Sequence, residues 1–168
     1  MLNEHDTIAL CCGPTVTLFG VSSGSRENFT PNASAPIRCI CLLAEVATRA
    51  TCTSVIAFGF ENGSVCAWTS VFANGRLSTN EPLFHCGAAH SKPVTAIRGL
   101  NPPGAEEGEG CSRLHEGEGF IGFASSSLDE SVKVWIIDVG GYYSKLTDTA
   151  YPALRARMTL QSEDKTSG

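Results

Sequence analysis

Cysteine and histidine are the residues of this sequence best able to do chemistry, and there are eight and four of them. A thiolate acts as a nucleophile or metal ligand, and an imidazole acts as a base or ligand near neutral pH. No two cysteines have the Cys-x-x-Cys spacing of zinc and redox sites. Cys39 and Cys41 alternate with Ile40, which predicts that both thiols lie on one face of a strand. We interpret the cysteines as small buried apolar residues, with a disulfide or metal role as the alternative.

The sequence carries no feature that requires an enzyme. None of the histidines (His5, His85, His90 and His115) lies in a recognisable catalytic or metal-binding spacing. The run Gly104–Gly108 contains two glutamates where a phosphate-binding loop needs hydrogen-bond donors. We therefore predict a non-catalytic protein without a cofactor or metal, and a Cys/His-dependent enzyme is the less favoured alternative.

The composition restricts the broad class of protein. Hydrophobic residues make up 42% of the chain and charged residues 17%, which is typical of a folded domain. The net charge of −5 disfavours a nucleic-acid partner, since such partners are bound by clustered Lys and Arg. No apolar run reaches the roughly 18 residues that span a bilayer. The start, Met1–Asp6, has two acidic and no basic residues, unlike a secretory signal. We expect a cytoplasmic protein, with a nuclear location as the alternative.

Short β-prone runs separated by turn residues dominate the sequence, and no long helical period is present. Asn62-Gly63 is the strongest hairpin signal, because both residues tolerate the positive φ of a type I′ turn. A second hairpin is predicted around Asp129-Glu130. The predicted strands are residues 8–12, 16–21, 37–43, 54–60, 64–71, 82–86, 94–100, 120–127 and 132–137. The sequence therefore predicts an all-β protein.

Aromatic residues near the ends of these hairpins indicate an internal repeat. Phe19 and Trp68 are 49 residues apart, and Trp68 and Trp135 are 67 apart. The second spacing also becomes 49 when the 18-residue Gly/Glu-rich segment 101–118 is set aside. We interpret that segment as an inserted solvated loop, with an acidic contact arm as the alternative. Repeats of 40–50 residues made of short strands are typical of β-propeller blades.

The stretch from Ala89-His90 to Trp135 resembles a WD40 repeat. In that family a His at the start of the repeat, a Ser or Thr in the second strand, an Asp in the tight turn and a Trp in the third strand form a hydrogen-bonded network. The matching residues here are His90, Ser125, Asp129 and Trp135. The resemblance implies that the carboxylate accepts from the turn and from His90, that His90 bonds Ser125, and that Ser125 accepts from the indole N–H.

The sequence also departs from the family pattern. The family's Gly-His dipeptide is Ala89-His90 here, and its Trp-Asp dipeptide is Trp135-Ile136. The middle repeat keeps Trp68 but has Asn62 at the Asp position and Phe58 at the Ser position. We expect no four-residue network there. In the first repeat, Phe19 stands at the position of the Trp.

The resemblance implies WD40-type blades, each a four-stranded antiparallel sheet, in an incomplete propeller of about three blades. Residues 1–36 are expected to form a partial blade and connecting loop, 37–89 a degenerate blade, and 90–160 the best-marked blade with the insertion 101–118. Residues 161–168 are expected to be a disordered tail. Because the family usually has seven blades, we expect a fragment, or a piece that assembles with further repeats.

The function implied by the resemblance is that of a scaffold or adaptor for other proteins or peptides. In the family, the turn near Asp129 and the loop after His90 lie at a frequent contact surface. This nominates Ser91, Lys92, Pro93 and Leu128 as a partner-binding face. No membrane partner is expected. A Cys-rich domain with a metal or redox role is the alternative function.

Overall fold

The computed structural model describes residues 7–20, 24–47, 51–73, 76–100, 112–113 and 120–138, and within these ranges every regular element is a β-strand. This confirms the all-β prediction. The strands are β1 (Thr7–Cys12), β2 (Thr15–Gly20), β3 (Arg26–Phe29), β4 (Ile37–Ala47), β5 (Thr51–Phe60), β6 (Val65–Ala73), β7 (Arg76–Cys86), β8 (Val94–Leu100), β9 (Ser112–Arg113), β10 (Phe120–Ser127) and β11 (Val132–Asp138).

The strands form three open sheets. The first sheet has the order β1-β2-β3, the middle sheet β7-β6-β5-β4-β9, and the third sheet β11-β10-β8. Neighbouring strands are antiparallel except β4 and β9, which run parallel. The strands β4 to β7 follow one another both in the chain and across the sheet, so they form a four-stranded antiparallel unit.

The central strands β5 and β6 of the middle sheet are largely buried on both faces. Along β5, Ile56 and Phe58 pack with the first sheet, whereas Val55 and Ala57 pack with the third. Because successive side chains of a strand point to opposite faces, a nearly continuous apolar run is what a strand covered on both sides requires. The core shared with the first sheet contains Val16, Leu18, Ala35, Cys52, Ile56, Phe58, Phe60 and Cys66. The core shared with the third sheet contains Leu43, Ala44, Val55, Ala57, Val65, Ala67, Leu83, Ala89, Val94, Ile97, Ile121, Phe123, Trp135 and Ile137.

The Asn62-Gly63 hairpin is confirmed, but its predicted turn type is wrong. The loop is three residues long, with the Phe60 N–H donating to Ser64 O (3.1 Å) and the Gly63 N–H donating to Phe60 O (3.2 Å). Only Gly63 has a positive φ, of 80°, so Asn62 does not adopt the conformation that a type I′ turn demands. The side chain of Asn62 accounts for the difference, because it bonds forward to Ser64 and holds a longer loop.

The inserted segment 101–118 is not entirely a loop. Ser112 and Arg113 form β9, which pairs with Ala44 and Glu45 of β4. The prediction of a solvated loop is therefore wrong for these two residues, and the backbone groups on the edge of β4 explain why a short polar piece can pair there. The other residues of the segment, the end of the third repeat beyond Asp138 and the predicted tail 161–168 lie outside the described residues.

Candidate functional site

The centre of the predicted network is the hydroxyl of Ser125, on the face of β10 that packs against the middle sheet. The indole N–H of Trp135 donates to Ser125 Oγ over 2.8 Å, and His90 Nε2 lies 2.8 Å from the same oxygen. Trp135 lies on the neighbouring strand β11, directly opposite Phe123 of β10. Ser125 follows Phe123 by two residues, so Ser125 and Trp135 are diagonal neighbours on one face. All three side chains are buried.

A second serine, which the sequence comparison with the family does not single out, completes the network. The hydroxyl of Ser131 donates to Asp129 Oδ1 over 2.6 Å, and His90 Nδ1 lies 2.9 Å from Ser131 Oγ. The nearest His90–Asp129 approach is longer, 3.4 Å from Nδ1 to Oδ2. Ser131 follows Asp129 by two residues, and an Asp side chain commonly accepts from the residue two positions later in a turn. This spacing is the sequence signal that could have identified Ser131.

The donors and acceptors fix the state of His90. Because the Ser131 hydroxyl donates to Asp129, its oxygen accepts from His90 Nδ1–H. The other nitrogen, Nε2, is then an acceptor for the Ser125 hydroxyl, whose oxygen accepts from Trp135. Every bond thus points the same way, from the indole through Ser125, His90 and Ser131 to the carboxylate of Asp129.

The protonation equilibria agree with this arrangement. Burial lowers the pKa of His90, an effect that the nearby Asp129 carboxylate partly opposes. The pKa of Asp129 is held well below its ordinary value, chiefly by the Ser131 hydroxyl and also by the N–H groups of Ser91 and Ser131. At neutral pH the histidine is therefore neutral and the carboxylate is ionised.

Asp129 also ties the loop after His90 to the β10–β11 turn. Its Oδ2 accepts from the Ser91 N–H over 2.9 Å, and the Leu128 N–H donates to Pro93 O over 3.1 Å. The structure thus brings the predicted face Ser91, Lys92, Pro93 and Leu128 together at one end of the third sheet. Ser91, Lys92 and Leu128 are exposed, and Pro93 is half-buried.

The middle sheet repeats the backbone geometry of this turn 67 residues earlier in the chain. The bonds Phe60 N–H to Ser64 O, Gly63 N–H to Phe60 O and Glu61 N–H to Pro36 O (2.9 Å) are present there. Their third-sheet counterparts are Ser127 N–H to Ser131 O, Glu130 N–H to Ser127 O and Leu128 N–H to Pro93 O. The two hairpins, including the loop that each turn contacts, are therefore structurally equivalent.

Half of the polar network is also repeated. Asn62 Oδ1 accepts from the N–H (3.1 Å) and hydroxyl (2.6 Å) of Ser64, as Asp129 does from Ser131. Asn32 Nδ2 donates to Ser64 Oγ over 3.1 Å, taking the place of His90. The buried Phe58 stands where Ser125 would be, so no hydroxyl bridges this turn to Trp68. The four-residue network is thus incomplete here, as expected. The sequence does not predict the bonds that Asn62, Ser64 and Asn32 make at the turn.

The β1–β2 turn of the first sheet and the β5–β6 turn of the middle sheet each contact the next sheet in the chain through a backbone carbonyl. The Ile37 N–H donates to Gly13 O over 2.8 Å, and the His90 N–H donates to Gly63 O over 2.9 Å. At Gly63 the approach is so close that a Cβ would overlap the carbonyl oxygen of His90. The network histidine is therefore anchored by the middle sheet as well as by its own turn.

Ser125, His90 and Asp129 have the residue types of a hydrolase triad, but their arrangement does not suit nucleophilic attack. A catalytic serine needs an open face from which its oxygen reaches the substrate. The side chain of Ser125 is 1% exposed, and its oxygen already accepts from the indole of Trp135. This set of contacts holds strands and loops together.

One hydrolase-type sequence pattern, Gly20 to Gly24 with Ser22 at its centre, leads from β2 towards β3. The nucleophile elbow of hydrolases joins a strand to a helix, which raises the serine above a sheet. Here the Gly24 N–H donates to Gly20 O over 2.9 Å, and the chain continues into an antiparallel strand. The local fold around the pattern differs from an elbow, and Ser22 itself lies outside the described residues.

Two of the described thiols, those of Cys39 and Cys66, are poorly suited to metal or redox chemistry. Burial raises the pKa of Cys39 to about 11 and that of Cys66 to about 12, which disfavours the reactive thiolate. Cys39 and Cys41 both pack against the core between the middle and third sheets, as their alternation predicts. Within the described ranges, no three Cys, His, Asp or Glu side chains are grouped as metal ligands.

A comparison with models of known protein families finds no match, and no curated protein resembles the sequence significantly. Among the described segments there is no helix of the length and apolar character needed to cross a bilayer.

Proposed function

We propose that this chain is a WD40-type repeat protein that acts as a non-catalytic scaffold or adaptor, and that its three sheets are successive blades of an incomplete propeller. The face-to-face order of the sheets and the repeated turn geometry support this reading. So does the bonding of His90, Ser125, Asp129 and Trp135, which resembles the network of that family.

The proposed partner-binding face is the loop surface formed by Ser91, Lys92, Pro93 and Leu128. The observation that carries this assignment is the bond from the Ser91 N–H to Asp129, because it fixes the loop before any partner arrives. A surface that is already ordered loses little conformational entropy on binding. Leu128 offers an apolar side chain that is 55% exposed, and the exposed Lys92 offers a cation on the loop that the Leu128 N–H contacts at Pro93.

These features favour a protein or peptide partner that presents both an apolar side chain and a carboxylate. A nucleic-acid partner is disfavoured by the net charge of −5. A cytoplasmic location, with the nucleus as the alternative, stays part of the proposal. The alternative of a Cys-rich metal or redox domain is less favoured, because burial raises the pKa of Cys39 and Cys66.

The proposal is tested by affinity capture from a cell extract with the wild-type chain and three variants. Leu128→Asp and Lys92→Glu change the proposed face without touching the network. Glu27→Lys is the control, because Glu27 is an exposed residue on the first sheet. We expect proteins that bind the wild type to be lost with both loop variants and retained with the control. Equal capture by all four chains would refute the assignment of this face.

A photo-crosslinking side chain placed at position 128 makes the test direct. The captured partner is expected to crosslink at position 128 and not at position 27. Crosslinking at position 27 alone would place the contact elsewhere and refute the assignment.

A further inference from the structure

The outer face of the third sheet exposes a patch of apolar side chains. Val132, Val134 and Ile136 alternate along β11 on the side turned away from the middle sheet, and they are 40–66% exposed. Phe120 on β10 and Leu100 on β8 extend the patch, with exposures of 66% and 42%. Contiguous apolar surface of this kind usually marks an interaction site.

The equivalent face of the middle sheet is covered. Counting from Ser131 and Ser64, which occupy the same place in their turns, Val132, Val134 and Ile136 correspond to Val65, Ala67 and Thr69. Those three residues are at most 1% exposed, because the third sheet packs on that face. The outer face of the third sheet is therefore equivalent to the face of the middle sheet on which the third sheet packs.

The outer face of the first sheet also exposes apolar side chains. Ile8 and Leu10 on β1 point away from the middle sheet and are 53% and 55% exposed. Cys12 and Phe60 are the last residues of β1 and β5 before their turns. Counting back from them, Ile8 and Leu10 correspond to Ile56 and Phe58. Ile56 and Phe58 pack with the first sheet and are only 6% and 0% exposed. The outer face of the first sheet thus has the position of a face that packs on a preceding sheet.

One chain therefore carries both halves of a contact that it already makes twice internally. We propose that two copies associate head to tail, with the outer face of the third sheet of one copy packed on the outer face of the first sheet of the other. Such a contact is heterologous, and it stays finite only if the rotation closes a ring. The described residues of two copies contribute six sheets, within the roughly four to eight blades of closed propellers.

The charges on the two faces are compatible with this packing. Arg98 pairs with Ala124 and lies on β8, on one side of β10. Arg26 pairs with Phe19 and lies on β3, on the far side of β2. Stacking β1 over β10 and β2 over β11 puts these two cations at opposite edges of the interface, so that mainly apolar side chains meet between them.

Sedimentation over a concentration series tests the proposal with single substitutions on each face. The wild type is expected to reach twice the monomer mass of 17.7 kDa. Val134→Glu and Leu10→Glu are each expected to raise the dissociation constant at least roughly tenfold, because each would bury an unpaired carboxylate in the contact. Ile40→Glu is the matched control, since Ile40 lies on the middle sheet, outside both faces, and its exposure of 37% is close to the 40% of Val134. This variant is expected to leave association unchanged.

Mixing the two variants distinguishes a head-to-tail contact from a symmetric one. The Leu10→Glu copy keeps an intact third sheet and the Val134→Glu copy keeps an intact first sheet. An equimolar mixture is therefore expected to form heterodimers although neither variant associates alone. Circular dichroism and thermal unfolding check that both variants stay folded, as expected for residues that are exposed in the monomer.

Three results would overturn the proposal. A wild-type chain that stays monomeric at every concentration would show that a second copy does not cover these faces. Association that survives both substitutions would place the contact elsewhere. Loss of association in only one variant, without recovery in the mixture, would show that a single face pairs with itself.

Discussion

Removing the hydroxyl of Ser125 is the most direct test of the network. Ser125→Ala leaves two buried polar groups without their partner, the indole N–H of Trp135 and Nε2 of His90. Each unsatisfied buried group costs about 1–3 kcal/mol, so we expect the free energy of unfolding to fall by about 3 kcal/mol. A typical domain has about 5–15 kcal/mol of stability, so the variant should still fold.

Urea unfolding followed by far-UV circular dichroism measures the effect, with an unchanged m-value as evidence that the folded state is preserved. The control is Ser126→Ala, which removes the same group from the opposite face of the same strand. The Ser126 hydroxyl makes its bond to Thr95 at an exposed site, so a loss below about 0.5 kcal/mol is expected. A Ser125→Ala loss no larger than that of the control would refute the argument.

A double-mutant cycle isolates the bond between Ser125 and Trp135. Trp135→Phe keeps an aromatic ring in the core but removes the indole N–H. Once Ser125 is alanine, that N–H is already unpaired, so its removal should cost about 1 kcal/mol less than in the wild type. Additive losses would mean that the two side chains are not coupled.

Three further outcomes follow from particular residues. Thr69→Val should raise the free energy of unfolding by about 1 kcal/mol in urea unfolding, because the buried Thr69 hydroxyl has no partner among the described residues; a loss would show that it is bonded. Gly63→Ala should cost more than about 2 kcal/mol, since Gly63 has φ 80° and a Cβ there would overlap the His90 carbonyl. Gly13→Ala, at φ 59° with open space around it, should cost only about 1 kcal/mol, and similar melting temperatures for the two variants would contradict the close approach. The pKa values of His90 and Asp129 are both lowered on folding, so the unfolded chain binds more protons below about pH 6.5. The free energy of unfolding should therefore fall from about pH 7 to 4, and His90→Gln should flatten the upper part of that fall in urea unfolding at a series of pH values; identical profiles would contradict it.

The sequence predicts best those strands in which local preference and burial agree. The bounds of β8 and β10 match the predicted runs 94–100 and 120–127, because each strand begins with mainly apolar or β-branched residues and is bounded by turn residues or a glycine-rich segment. The network residues His90, Ser125, Asp129 and Trp135 could be named because the stretch resembles a WD40 repeat, and the donors and acceptors of these side chains fit the bonds that the resemblance implies.

The remaining elements depend on contacts that are distant in the chain. The strand β3, Arg26–Phe29, is mostly polar and exposed, so it has no alternation to detect and exists because β2 offers it an edge. The first half of β7 is equally polar and pairs with β6. Likewise, the side chain of Asn32 donates to Ser64, which is 32 residues away in the chain. Patterns of neighbouring residues do not contain such pairings.

Because every bond from Trp135 to Asp129 points the same way, the indole proton of Trp135 can be used to measure local opening of the structure. The indole proton of Trp135 is held by a buried oxygen at the surface between the middle and third sheets. It can exchange with solvent deuterium only when those sheets separate locally or the chain unfolds. Its exchange rate in a nuclear magnetic resonance spectrum therefore reads the frequency with which this junction opens, without any label added to the protein.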